Sequence, residues 1–346
     1  MRCDTGDIEA TARQLAPAAT VQVLTAAELR RLVDLTPAVV DAIEGGFRQL
    51  GTGRVTTPKP LRMDLPSHHG EVDVKTAHVE GWDSFAIKAS TGFFDNPARG
   101  MASGGGFVVL LDAATGRVMA VFLDDGYLTT LRTAAAGAVA ARWLAPKDVK
   151  TLGIVGAGEQ ALWQARAVAL VRSPKRVLIF GRRPEQAVEL AHRLSEELGI
   201  PAEPAATVED LVRASETVVT CTPAREPLVR SEWLHPGLHI TAVGSDSPDK
   251  QELEAHVLLR ADRVVCDLLD QCLEIGEGRA AARTGAFPGP DKPVELGSVV
   301  CGEVPGRRSE REITVCDLTG VGVTDTAVAR LAWREAQPAS TRGVEL

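Results

Sequence analysis

Residues 149–161 read Val-Lys-Thr-Leu-Gly-Ile-Val-Gly-Ala-Gly-Glu-Gln-Ala, and no other stretch restricts the fold so tightly. The apolar run Leu152-Gly-Ile-Val155 has the composition of a parallel strand buried on both faces. It ends at Gly156-Ala-Gly158 and passes into helical spacing through Gln160, Ala161, Trp163 and Ala167. In this G-x-G-x-x-A order Gly156 permits a tight turn, Gly158 lets the backbone approach a pyrophosphate, and Ala161 lets helix and strand pack closely. The phosphates would then sit against unpaired N–H groups at the helix N-terminus. A second strand is expected at 176–180 (Arg-Val-Leu-Ile-Phe). An acidic residue at the end of such a strand bonds the ribose 2′-OH of NAD. Gly181-Arg182-Arg183 stands there instead, and two guanidiniums suit a 2′-phosphate. NADP(H) is therefore favoured, with NAD(H) the alternative.

A chain of 346 residues has room for two domains, and 45% hydrophobic content supports sizeable cores. The net charge of −8 argues against non-specific nucleic-acid binding, and no basic cluster carries interleaved aromatics. No 18-residue apolar span or signal peptide is present, so a soluble cytoplasmic protein is expected. The six cysteines (Cys3, Cys221, Cys266, Cys272, Cys301, Cys316) form no C-x-x-C pair, which favours reduced thiols over disulfides or zinc. His68-His69 lies in a Pro/Ser/Gly turn, and no H-E-x-x-H spacing occurs. No metal is expected.

Residues 1–20 are Ala-rich and aperiodic, an expected frayed extension. Helical spacing over 26–50 is broken at Thr36-Pro37. Strands are expected at 71–77, 84–89, 106–111 and 118–123, with Gly70, Gly81, Gly92 and Ala114-Thr-Gly116 as turns. Several strands before any βαβ alternation imply a separate α+β domain, 21–145, with a mostly antiparallel sheet. A small-residue helix at 128–144 leads to a hinge, Ala145-Pro-Lys-Asp148. The Rossmann part spans 146–319, with helices at 159–171, 184–198 and 207–213. Its further strands are expected at 217–221, 238–243 and 263–267, with 313–316 closing the sheet. Residues from about 320 to 346 are expected to return to the first domain. The fold class is thus α/β: a Rossmann dinucleotide-binding domain plus an α+β substrate and dimerisation domain.

Ordered motifs across 25–335 resemble the ornithine cyclodeaminase/μ-crystallin family. They are Phe85-Ala-Ile-Lys88, Asp95-Asn-Pro97, Leu128-Thr-Thr-Leu-Arg132-Thr133-Ala-Ala and Gly156-Ala-Gly158-Glu-Gln160. Further on stand Ala242-Val-Gly-Ser-Asp246-Ser-Pro-Asp-Lys250-Gln-Glu252-Leu and Asp317-Leu-Thr-Gly320. The resemblance implies a homodimer that handles imines and amino acids beside a nicotinamide, as cyclodeaminases, ketimine and pyrroline-carboxylate reductases and some alanine dehydrogenases do. Glu71-Val-Asp-Val-Lys75-Thr-Ala with Gly92-Phe-Phe-Asp-Asn-Pro is similar to a bacterial branch. That branch includes iminosuccinate reductases and ectoine-utilisation proteins. Ornithine cyclodeaminases themselves place an acid and then Leu-Met-Pro here, so Asp73 aligns with the acid and Lys75 with the Met, a departure that argues against ornithine.

Reduction of an α-imino acid needs a held carboxylate, a protonated imine and a dry approach to nicotinamide. Arg132 and Arg62 are candidates for the carboxylate clamp, since a guanidinium fork matches a carboxylate. For Arg62 a solvated strand-edge position is equally open. Lys88, between Ile87 and Ala89 in an apolar strand, would have its ammonium disfavoured by burial and so suit proton transfer. The resemblance implies that Lys88 serves in substrate binding and proton donation and that Asp246, just after strand 238–243, acts as general acid/base. A turn or cap role is the alternative for Asp246. Lys75 shares a strand face with Asp73. Pointing into the site, it would favour a second acid group on the substrate, whereas a surface pairing with Asp73 or Glu71 would matter little. Thr133, Gln160, Thr222 and Val243 are expected at the cofactor together with Gly156, Gly158, Arg182 and Arg183. The leading expectation is an NAD(P)H-dependent imine reductase or amino-acid dehydrogenase acting on a small α-imino acid, dicarboxylic acids included. Its rivals are a cyclodeaminase that recycles bound NAD and a non-enzymatic dinucleotide-binding protein of μ-crystallin type.

Overall fold

The computed structural model describes residues 20–285, 293–337 and 343–345; Cys3 and residues 1–19 of the extension expected over 1–20 lie outside them, whereas Thr20 already belongs to a strand. Two eight-stranded sheets organise the described residues. The first is built from β1 (Thr20–Thr25), β2 (Val55–Thr56), β3 (Leu61–Leu65), β4 (Gly70–Val79), β5 (Ser84–Phe93), β6 (Gly104–Asp112) and β7 (Val118–Leu123). β16 (Gly343–Glu345) completes it. Its path runs β16-β1-β7-β6-β5-β4-β2, and β3 pairs with β4 outside that path. Pairing is antiparallel except for β1 against β7. β1 has no counterpart among the sequence-based expectations, because six residues beside an Ala-rich stretch give too little alternation to mark a strand.

The period-two rule divides this sheet into two faces. Ala77, Val79, Ala86, Val108, Leu110, Ala120 and Phe122 are buried on one face. They share a core with residues of the helices Pro37–Gly51, Tyr127–Leu144 and Gly322–Ala336. Thr36-Pro37 separates Ala26–Leu32 from Pro37–Gly51, with Pro37 in the first turn. In β4 and β5 the register sets Lys75 opposite Lys88 and Ala77 opposite Ala86. Both lysines therefore project toward the helices and away from the outer face. The Tyr127–Leu144 helix is buried along most of its length and also packs on Glu159–Val171, so its run of alanines serves close approach on several sides.

The second sheet holds β8 (Thr151–Val155), β9 (Arg176–Phe180), β10 (Ala202–Pro204), β11 (Thr217–Thr220) and β12 (His239–Ala242). β13 (Arg263–Cys266), β14 (Val294–Glu295) and β15 (Thr314–Asp317) complete it. All its pairings are parallel, in the order β10-β9-β8-β11-β12-β15-β13-β14. The progression reverses at β8, the switch point of a Rossmann fold, so the ligand crevice opens at the carboxyl ends of β8 and β11. β15 does not close the sheet. It is inserted between β12 and β13, where its four buried residues have a neighbour on either side. A short strand that carries Val315 and Cys316 is marked as a core strand, but chain order says nothing of which gap it fills.

No helix among the described residues is long and apolar enough to cross a membrane. The five described cysteines are free, and no cluster among the described residues fits a metal ion.

Candidate active site between the two sheets

A cavity of about 380 Å³ lies between the face of the first sheet and the carboxyl ends of the second. Lys88, Arg132 and Asp246 all line it, as do Asp73 and Lys75. From the cofactor expectations Thr133, Gly158, Gln160, Thr222 and Val243 line the same space. Arg62 and Arg182 line an adjoining cavity of about 910 Å³, which shares Ser103, Pro223 and Lys250 with the first. Gly156 sits at the end of β8, and Arg183 is exposed with its Nε donating to Gln186 Oε1 at 2.9 Å.

Lys88 is 2% exposed, and its Nζ lies 3.3 Å from Oδ1 of Asp325. The Nε of Arg132 donates to the same oxygen at 2.9 Å. Burial, helped by the neighbouring Arg132 charge and opposed by Asp325, brings the Lys88 amine down to about 7. Burial alone would raise the Asp325 carboxyl, but Arg132 and Lys88 hold it below the usual carboxylate range. Asp325 carried no expectation from sequence. A charged residue among Val323, Thr324, Thr326 and Ala327 on a helix turn without other ionisable groups was the available signal.

Lys75 makes no surface pair with Asp73 or Glu71. Its Nζ donates to the carbonyls of Thr319 at 3.1 Å and Gly320 at 2.9 Å, at the end of β15. It is nonetheless at the cavity wall, and burial of Asp73 beside it raises the Asp73 carboxyl despite the Lys75 and Arg62 charges.

Asp246 has the most open side chain of the three, about 39% accessible, and its Oδ1 takes Lys250 Nζ at 2.7 Å. Enclosure would raise its carboxyl, but Lys250 and then Lys75 overcome that and hold it low. Lys250 Nζ also lies 3.5 Å from Glu71 Oε1, and the other Glu71 oxygen takes Arg62 Nη2 at 2.6 Å. Arg62 further contacts Asp64 at 3.0 Å and Asp73 at 3.7 Å. A chain of charges thus links the β3–β4 hairpin to the loop after β12. Lys250 stands within the Asp246 motif, yet nothing in the three residues between them signals its return to Asp246, and in sequence Glu71 offers itself only as a partner for Lys75.

The residues fit a dinucleotide. Gly156 takes φ +133°, where a side chain would be strained, and a Cβ there would lie 2.9 Å from Cys221 Sγ. A Cβ on Gly158 would meet nothing within 4 Å, so open space faces the start of Glu159–Val171. That helix has no side-chain cap, which leaves its first N–H groups for an anion. Gln160 Nε2 donates to Thr130 O at 3.2 Å, fixing this turn against the Tyr127–Leu144 helix.

The sequence profile of the ornithine cyclodeaminase/mu-crystallin family matches residues 20–339. An uncharacterized cyclodeaminase of Sinorhizobium fredii is 44% identical over 328 residues, covering 93% of this chain and 97% of that protein. The structure of Thermococcus litoralis Δ1-pyrroline-2-carboxylate reductase, bound to NADH and L-proline, superposes with a TM-score of 0.88 at 28% identity, covering 94% of this chain and 100% of that one. The Paracoccus denitrificans iminosuccinate reductase bound to NAD+ gives 0.86 at 32% identity, covering 94% and 100%.

Proposed function

This chain belongs to the ornithine cyclodeaminase/mu-crystallin family, and from that premise we propose that it is a nicotinamide-dependent imine reductase that converts a dicarboxylic α-imino acid to the L-amino acid. The observation that carries the reading is the gathering of Lys75, Lys88 and Arg132 on one cavity beside a dinucleotide-binding turn. Asp325 contacts two of these cations and Lys75 meets backbone carbonyls, so the corner they share carries a local positive field, although Asp73, Asp125, Glu159, Asp246 and Asp267 also line the cavity. A second substrate carboxylate would be attracted by that field, and the side-chain ammonium of a diamino acid would be repelled.

Arg132 holds the α-carboxylate, and Arg62, engaged by three carboxylates, shapes the mouth of the cleft. A dinucleotide held at the Gly156–Gly158 turn would supply the hydride for C2. Lys88 gives a proton to the imine nitrogen, and the ionised Asp246 relays protons from the wetter side of the cavity. Arg182 at the end of β9 supports NADP(H) over NAD(H), because it faces the adjoining cavity without a carboxylate at the ribose position. A homodimer is part of the same reading.

A cyclodeaminase is the second reading, favoured by Asp73, whose carboxylate lines the cavity where a second amine would sit. The decisive assay offers imines formed from 2-oxo acids and ammonia with NADPH and NADH in parallel. Net NADPH consumption with oxaloacetate plus ammonia is expected. Ammonia release from ornithine or 2,4-diaminobutyrate without net cofactor change would reverse the order.

A further inference from the structure

Asp325 is buried, yet it contacts both cations that meet the substrate in the reading above. It lies on the Gly322–Ala336 helix, which crosses the face of β4 and β5. Its Oδ1 is shared between Arg132 Nε and Lys88 Nζ, while its Oδ2 is buried without a hydrogen-bond partner. Such a geometry is costly for a group that only neutralises charge, since a carboxylate with one oxygen orphaned forgoes half of its hydrogen-bonding capacity. What it achieves is directional. Arg132 spends its Nε edge on Asp325, and that is its side-chain hydrogen bond among the described residues. The two Nη groups, which make the fork that matches a carboxylate, are left at the cavity end.

Gly320 completes the arrangement. It takes φ +82°, and a Cβ there would lie 2.8 Å from Arg132 Nη1, 3.3 Å from Nη2 and 3.2 Å from Lys75 Nζ. The fork therefore occupies the place where any other residue at position 320 would put its side chain. The groups facing Lys88 are Arg132 from the Tyr127–Leu144 helix, Asp325 from Gly322–Ala336, Lys75 from β4 and Asp124 from the turn after β7. Of these, Asp325 is the carboxylate in direct contact. Asp124 spends its Oδ2 on the Leu128 N–H at 2.8 Å, and burial pushes its carboxyl up to about 6.

We propose that Asp325 is the positioning residue of this site: one carboxylate oxygen fixes the Arg132 fork toward the substrate carboxylate and anchors the Lys88 amine beside it. The proposal rests on the imine-reductase reading. Asp325→Asn keeps the shape and removes the charge. In that variant the Lys88 titration, followed by 13Cε-lysine NMR and assigned with Lys88→Met, is expected to fall by at least about one pH unit. The falling limb of kcat/KM for imine reduction should move with it, so that activity lost at pH 7 returns at pH 6. KM for the imino acid should rise about tenfold through the loosened fork.

Gly320→Ala leaves the carboxylate in place and is expected to raise KM by about tenfold while the Lys88 midpoint stays put. It carries the test of the fork if Asp325→Asn does not fold. A folded Asp325→Asn variant with an unmoved Lys88 midpoint, or a Gly320→Ala variant with unchanged KM, would overturn the proposal. The NMR titration needs no turnover, so a wild-type protein that reduces no imine sinks the functional reading separately.

Discussion

Lys88 and Asp246 line one cavity, and both titrate below their usual range for different reasons. Burial brings the Lys88 amine to about 7, whereas Lys250 and Lys75 keep Asp246 ionised well below neutrality. In the reducing direction Lys88 must carry a proton, so kcat/KM is expected to fall as pH rises through about 7. In the oxidising direction the neutral amine is needed, and the same limb should rise. Lys88→Met should lower kcat by about 100-fold or more while dinucleotide binding survives. Lys250→Met removes the largest charge that offsets enclosure of Asp246, so the acidic limb of amino-acid oxidation should move upward; an unmoved limb would detach Lys250 from Asp246. At this scale the lysine in an apolar strand and the aspartate after a strand end were visible from residue type and neighbours. Asp325, Lys250 and Glu71 were not, because each acts through a contact made by chain folding back from a different element.

The β8 strand, its glycine turn and the Glu159–Val171 helix were legible because apolar run, turn and 3.6-residue spacing all agree locally. The position of β15 was not, since parallel strands far apart in sequence pair through a register no local pattern records. The β9 end raises the sharpest question for an element. Arg182 faces the adjoining cavity, while Arg183 stands just before its own helix, without capping it, and its Nε donates to Gln186. The 2′-phosphate should thus depend on Arg182 rather than on both. Arg182→Ala is expected to raise KM for NADPH by about tenfold and to leave that for NADH within about twofold. Arg183→Ala should change neither beyond about twofold. Equal losses for the two cofactors in Arg182→Ala would remove the phosphate assignment.

Across the whole molecule, one surface stands apart. The face of the first sheet turned away from the helices carries Leu61 and Met63 of β3, opposite Val74 and Val72 of β4, and Phe107 and Leu123 of β6 and β7. Leu61 is 63% exposed, Met63 51%, Phe107 43% and Leu123 51%, and alternation puts Ile87, Val109 and Val121 on the same side. A monomer rarely leaves so continuous an apolar face to water. In the dimeric reading a second copy covers it, and the strand that carries Arg62 is then braced by the interface. Met63→Asp together with Phe107→Asp buries two unpaired charges in that contact, which is expected to yield monomers in analytical ultracentrifugation. The Rossmann sheet lies outside the perturbed face, so the variant should still bind dinucleotide, while catalysis should fall because β3 and the Arg62–Glu71–Lys250 chain lose their support. A wild-type protein that sediments as a monomer, or a charged variant that remains a dimer, would leave this face in need of another partner.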